Sequence, residues 1–164
     1  MNKNIADCIF CNMIAKNDYD IFYRNELFVA VVDVCPKNVG HFLILPVRHI
    51  ESIYELTGDE ILQFNKVALD IMSNNFHKID LIGRYKHFID SASESDTKAI
   101  ERCRNSIDFI NMEVKLEPSG FSCGFNEGSN SGKEYEHLHM HVVPAYKNRP
   151  NERGCRSLTV GVDY

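Results

Sequence analysis

The chemistry in this chain is concentrated at His137, His139 and His141, which alternate with Leu138 and Met140 and run into Val142-Val143-Pro144. Alternation at period two puts the three imidazoles on one face of a strand and Leu138 and Met140 on the other. Imidazole is the side chain best suited to exchange a proton or attack an electrophile near pH 7, and it is also a common metal ligand. A polar strand face seldom carries histidine three times, so a chance run on a solvated strand is the weaker reading. An expression tag does not fit an internal, alternating run.

Cys8-Ile9-Phe10-Cys11 adds a second group at the other end of the chain. Its spacing suits two thiolates on one metal, a redox pair, or simply two small buried side chains. His49, just after an apolar run, is a further metal-ligand candidate. Asp33 closes the apolar stretch Leu27–Val34, where a buried carboxylate is costly unless it sits at a mouth or has a partner. The segment Glu127-Gly128-Ser129-Asn130-Ser131-Gly132 is a Gly/Ser/Asn-rich loop leading to the histidines. Its backbone N–H groups could receive an anionic ligand without adding charge.

The elements that must position these residues follow from periodicity and punctuation. Residues 20–34 read as two short strands hinged at Arg24-Asn25-Glu26, the second β-branched and aromatic enough to be buried on both faces. Pro36 to Gly40 makes a turn, and His41 to Pro46 returns antiparallel. Thr57-Gly58-Asp59-Glu60 is a capping signal for a helix over 58–78. Residues 77–90 could continue that helix. A polar break follows, and a second helix is expected over 96–116, then a strand over 121–126, the loop 127–132 and the histidine strand 137–143. Residues 146–164 read as a loop-like tail.

At 164 residues, with 44% hydrophobic and 25% charged side chains, the chain is expected to fold as one domain spanning 1–164. The formal charge of −5 argues against binding extended nucleic acid, which needs a basic face. No apolar run approaches the roughly 20 residues that cross a bilayer, and the amino terminus lacks a signal-peptide core. A cytoplasmic location is expected, with the six cysteines reduced.

Two blocks, residues 8–56 and 120–156, resemble the histidine-triad (HIT) family of nucleotide hydrolases and transferases. The features that carry the likeness are the His-φ-His-φ-His-φ-φ pattern (φ apolar), Gly40-His41 and Arg48-His49-Ile50. The resemblance implies an α+β, HIT-like fold: an antiparallel sheet of about five strands with flanking helices, usually as a homodimer. It implies that His139 is the nucleophile and that His141 contacts the reacting phosphate and assists the leaving group. Asn126 and Gly132 would lie near the phosphates, and Asp33 would take the ribose hydroxyls. Zinc-bearing bacterial members bind a structural zinc with residues at the positions of Cys8, Cys11, His49 and His137. Lys133 and Glu134 stand where many members carry Gln and then Ser or Thr. A carboxylate there repels phosphate, leaving Lys133 to offset it. Residues 149–156 loosely echo an Arg/Gly-containing tail of some dinucleoside-polyphosphate-cleaving members.

The function expected on these grounds is hydrolysis of a nucleotide conjugate at its α-phosphorus through a nucleotidyl-histidine intermediate. Dinucleoside polyphosphates, nucleoside phosphoramidates and adenylylated metabolites are the candidate substrates. A nucleotidyl transferase or phosphorylase differs only in what resolves the intermediate. A nucleotide sensor with little turnover and a zinc-stabilised interaction domain are the alternatives outside catalysis. A local Cys2His2 finger does not fit, because Cys11 and His137 lie 126 positions apart (137 − 11), far beyond finger spacing.

Overall fold

The computed structural model describes residues 7–113, 115–128 and 130–147. Five strands form one antiparallel sheet in the order β1-β2-β3-β5-β4: β1 (Ile21–Arg24), β2 (Phe28–Val32), β3 (Phe42–Pro46), β4 (Gly120–Phe125) and β5 (Met140–Ala145). Four α-helices accompany it, α1 (Ile9–Lys16), α2 (Gly58–Asp70), α3 (Leu81–Ser91) and α4 (Thr97–Met112). The α+β architecture expected from the sequence is therefore the one observed. No helix among the described residues is long and apolar enough to cross a membrane.

The alternation of side chains along β2 and β3 divides the core in two. Phe28, Ala30, Val32, Phe42 and Ile44 pack with Phe64, Val67, Ile71, Phe76, Leu81 and Tyr85 of the helical region. Val29, Val31, Leu43 and Leu45 face the other way, onto Phe10 and Ile14 of α1. Sequence periodicity alone did not reveal α1, which has only two turns. Cys8 caps it, its sulfur accepting from Cys11 N–H at 3.5 Å, and Asn17 ends it in a left-handed conformation at φ 49°.

Three expected boundaries differ from those observed. The helix begins at Gly58 behind the Thr57/Glu60 capping box, but it is α-helical only to Asp70. A π-turn (Ile71–Asn75) and a 3-10 turn (Phe76–Lys78) carry it to the expected end. Residues 81–91 do not continue it, because Asp80 caps a separate α3 by accepting from Gly83 N–H at 2.9 Å. The last helix stops at Met112 rather than 116; Val114, within the expected span, lies outside the described residues, as does 148–164 of the expected tail.

The histidine segment also departs from a continuous strand. β5 pairs with β3 from Met140 onward, with Ile44 opposite Met140 and Leu43 opposite His141. Before that point the next rungs are taken up otherwise. Pro46 has no N–H to offer, its carbonyl oxygen accepts from His137 Nε2 at 2.9 Å, and Leu138 N–H bonds to Ile50 O at 2.6 Å. His137 and His139 thus stand on a tethered lead-in to the strand, and only His141 lies within it.

Helices α3 and α4 hold the 33–41 turn. Cys103 Sγ and Arg102 Nη1 bond to the carbonyls of Val34 and Cys35 at 3.1 and 3.2 Å. Asn38 Nδ2 and Tyr146 Oη bond to Pro144 O and Val39 O, at 2.9 and 3.0 Å. Gly40 N–H donates to the buried Tyr85 Oη at 2.9 Å. Gly40 itself sits at φ +74°, and a Cβ there would lie 2.6 Å from the Phe76 ring. Gly40→Ala should therefore cost about 2–4 kcal/mol of stability, read as a lower urea midpoint with an unchanged m-value.

Candidate active site

A cavity of about 230 Å³ opens on the α1 side of the sheet. Val31 and Leu43 line it from the sheet, Ile9, Phe10 and Met13 from α1, and Asn126, Gly132, Glu134 and Tyr135 from the loop. His139, His141 and Asp33 reach the same space, joined by Lys37 and Cys35 from the 33–41 turn. Asp20 and Phe88 complete the wall.

Each histidine is oriented by one committed nitrogen. His139 Nδ1–H donates to the His137 carbonyl at 2.8 Å, leaving Nε2 with its lone pair. His141 Nδ1 lies 3.0 Å from His41 Nε2, and His41 Nδ1 lies 3.1 Å from the Asp33 carboxylate. The carboxylate can only accept, so it fixes the proton on His41 Nδ1. His41 Nε2 then accepts from His141 Nδ1–H. His141 Nε2 is buried with no protein partner among the described residues.

Burial pushes the pKa of His139, His41 and His141 down, and for His141 the neighbouring His41 and His139 add to the effect. These imidazoles are therefore neutral near pH 7, as a nucleophile must be. His41, completely buried between Asp33 and His141, was part of a strand and of the family likeness in the sequence but was not singled out as a site residue. A histidine beginning an apolar strand was its one visible signal.

Asp33, just after β2, lines the cavity, and both its oxygens are engaged. Oδ2 meets His41, and Oδ1 accepts from Cys35 N–H at 2.7 Å. Asn126 Nδ2 donates to Gly132 O at 3.3 Å, and Gly128 and Gly132 turn the loop with φ of +82° and +81°. The Ser131 hydroxyl donates to Gly128 O at 2.7 Å, and Glu127 accepts from Ile53 N–H at 3.0 Å. Lys133 does not line the cavity. Its ammonium is bound by the Glu51 carbonyl and stands 3.6 Å from Glu136, so Glu134 lines the wall without it.

Cys8, Cys11, His49 and His137 come together beside the cavity, with one donor atom from each lying within 4.8 Å of the others. His137 Nδ1 is 3.6 and 3.5 Å from the two sulfurs, and His49 Nδ1 is 3.3 Å from Cys11 Sγ. Because His137 Nε2–H is used by Pro46 O, Nδ1 presents its lone pair to the sulfurs. Burial holds His137 down at about 4, keeping it neutral. Burial and the adjacent Cys8 push the Cys11 thiol up to about 11, so a pair of thiolates here needs a cation. Two sulfurs and two imidazole nitrogens, one already anchored on its far side, fit a closed tetrahedral metal site.

The Arg48–Glu60 pair fixes the segment that carries His49. Arg48 Nε and Nη2 donate to the two Glu60 oxygens at 2.6 and 2.7 Å, holding that carboxyl down at about 2. Arg48 also reaches the Glu55 carbonyl at 2.7 Å. The triad, the Cys-x-x-Cys, His49, Asp33 and the loop thus meet in one region, while Lys133 stands beside it.

Known proteins resemble this chain in sequence and in fold. The HIT domain family model matches residues 15–148, beginning after the Cys-x-x-Cys. "Protein hit" of Bacillus subtilis is 26% identical over 141 residues, 85% of this chain and 72% of that protein. A protein of Mycobacterium tuberculosis named AP-4-A phosphorylase is 25% identical over 132 residues, 78% of this chain and 47% of that one. The crystal structure of a Zn-bound histidine triad family protein from Mycobacterium smegmatis shares the fold at a TM-score of 0.58. That structure is 18% identical, covering 94% of this chain and 89% of its own.

Two measurements check the site. The parent should retain about one metal per chain through purification and Cys11→Ser should lose it, seen by elemental analysis together with a lower melting temperature. Acid should also destabilise the fold. A buried neutral histidine takes up a proton more readily once unfolded, so its contribution is present above the unfolded pKa of about 6.5 and is lost as pH falls towards the folded value. For His137 that window runs from about 6.5 down to about 4. Urea midpoints should fall across it, and less steeply in His141→Asn, which removes one of the depressed groups.

Proposed function

With the chain belonging to the HIT domain family, we propose that it cleaves a nucleotide conjugate at the α-phosphorus through a covalent nucleotidyl-His139 intermediate. One observation carries the reading: His139 keeps Nε2 free in the cavity while its Nδ1 is tied 2.8 Å from the His137 carbonyl, beside a His141 whose Nε2 is buried and unpartnered.

In the first step His139 Nε2 attacks the α-phosphorus, an N–P bond forms, and the bond to the leaving group breaks. As the anionic phosphate binds and favours the imidazolium, His141 Nε2 takes up a proton, and that proton goes to the departing atom. Protonated His141 is supported by the chain through His41 to the Asp33 carboxylate, which holds the proton on the cavity side. In the second step water attacks phosphorus, the N–P bond breaks, and the water proton returns to His141. The products are a nucleoside monophosphate and the protonated leaving group. N–H groups of loop 127–132 and the Asn126 amide can receive the phosphate oxygens. Asp33, with lone pairs to spare on two oxygens, can accept from the ribose hydroxyls as well. Lys133 serves the loop through Glu51 rather than the phosphate.

Dinucleoside polyphosphates, nucleoside phosphoramidates and adenylylated metabolites remain the candidate substrates. We assign the Cys8, Cys11, His49 and His137 cluster to a structural zinc. It contributes no step, but it ties α1 to the lead-in of β5 and so fixes the roof of the cavity. We also read the chain as a cytoplasmic homodimer. Reducing conditions suit the free Cys8 and Cys11. β4 is an open edge, and the exposed Leu62 and Leu69 lie two turns apart on α2, which packs beneath β4 through Phe64 and Phe125.

The test is a triad series assayed by released mononucleotide. His139→Ala should abolish turnover and adduct formation with metal content unchanged. His141→Ala should slow turnover by about 100-fold or more with poor leaving groups and far less with activated ones. His137→Ala should lose metal and stability. Parent-level turnover in His139→Ala, or an adduct trapped on another residue, overturns the mechanism.

A further inference from the structure

The strand registers align a single row across the sheet. His141 is opposite Leu43, Leu43 is opposite Val31, and Val31 is opposite Ile21. The row crosses from β5 to β1 in three inter-strand spacings, about 14 Å. Leu43 and Val31 form an apolar floor along it, and Ile9, Phe10 and Met13 of α1 face them across the cavity. A slot with an apolar floor and roof suits a flat heteroaromatic ring. Its length suits a nucleoside monophosphate, with phosphorus at the histidines and the outer edge of the base over β1.

Asp20 and Phe88 stand at that far end. Asp20 directly precedes β1, and its Oδ1 lies 3.3 Å from Nδ1 of His87 on α3. The other carboxylate oxygen has no hydrogen bond with a described residue, and the side chain is 19% exposed. A pair of acceptor oxygens thus closes the far end of a slot whose floor and roof are apolar. The catalytic steps make no use of it.

Resting on the nucleotide reading above, we infer that Asp20 reads the edge of the base and selects guanine. A carboxylate only accepts hydrogen bonds, and it presents two oxygens side by side. Guanine offers two adjacent donors, N1–H and the 2-amino group, which match that pair. Adenine offers one donor, its 6-amino group, beside the N1 lone pair, which would face a carboxylate oxygen and be repelled. Hypoxanthine keeps N1–H but lacks the 2-amino group and falls between them. Contacts of this kind discriminate more strongly than apolar fit does, because the mismatched base leaves a polar group without its partner. His87 positions the carboxylate, and Phe88 borders the ring beside it.

Calorimetric titration of the metal-loaded protein with GMP, IMP and AMP tests this directly. GMP should bind at least about tenfold more tightly than AMP, with IMP intermediate. Asp20→Asn should bring GMP to within about threefold of AMP, by weakening GMP and relieving the repulsion that AMP meets. Equal affinities in the parent, or tighter AMP binding, would overturn the assignment and leave the nucleotide reading intact. Loss of affinity for all three ligands together in Asp20→Asn would do the same, since a purely structural Asp20–His87 pair acts that way. If none of the three binds, the nucleotide reading fails and this inference with it. The order GMP, IMP, AMP in the parent decides the matter even if Asp20→Asn does not fold.

Discussion

Two backbone carbonyl oxygens decide what the histidines can do. The oxygen of Pro46 holds Nε2 of His137, and the oxygen of His137 holds Nδ1 of His139. Each bond fixes a tautomer in a buried ring, so one histidine turns its lone pair to sulfur and the next turns it to the cavity. A free imidazole would interconvert between tautomers and present either nitrogen. The same logic extends to His41, where a carboxylate takes the part of the carbonyl. Three neighbouring side chains of one type thus hold three different roles, and the difference lies in their acceptors.

Those acceptors are only as well placed as the backbone that carries them. Pro46 ends β3 and is held in the ladder opposite Phe28. Asp33 and His41 bracket a turn bound from three sides, by α4, by the Tyr85 hydroxyl and by residues at the end of β5. The helical face of the sheet therefore supports the opposite face. Phe76 and Tyr85 do no chemistry, but they close around Gly40, the residue from which His41 departs.

Much of this was legible in the sequence. The period-two histidines, the Cys-x-x-Cys and the carboxylate closing an apolar strand all mark local patterns, and each belongs to the site or borders it. Capping chemistry located the start of α2 because Thr57 and Glu60 act within one turn. What stayed hidden depends on distant partners. The His41–His141 contact joins residues 100 positions apart, and nothing near His41 points to its partner. The ladder ends before His139 because of what Pro46 and Ile50 do elsewhere. Lys133 looked like a counter-charge for phosphate by its place in the loop, yet the Glu51 carbonyl claims it. Helix α1 was too short for its periodicity to show, and α3 was masked by sequence that could have continued α2.

The strand order bears on how such a molecule comes into being. β5 is the last strand among the described residues but lies inside the sheet, between β3 and β4. A polypeptide growing from its amino end can pair β1, β2 and β3 and build helices on them, but β4 has no neighbour until β5 slides between it and β3. That one insertion brings His137 to the waiting Cys8, Cys11 and His49, sets His141 against His41 and completes the sheet. Three members of the Cys8, Cys11, His49 and His137 cluster are thus synthesised long before the fourth. The candidate site is therefore completed together with the sheet, since the thiols and His49 precede the three histidines by many residues.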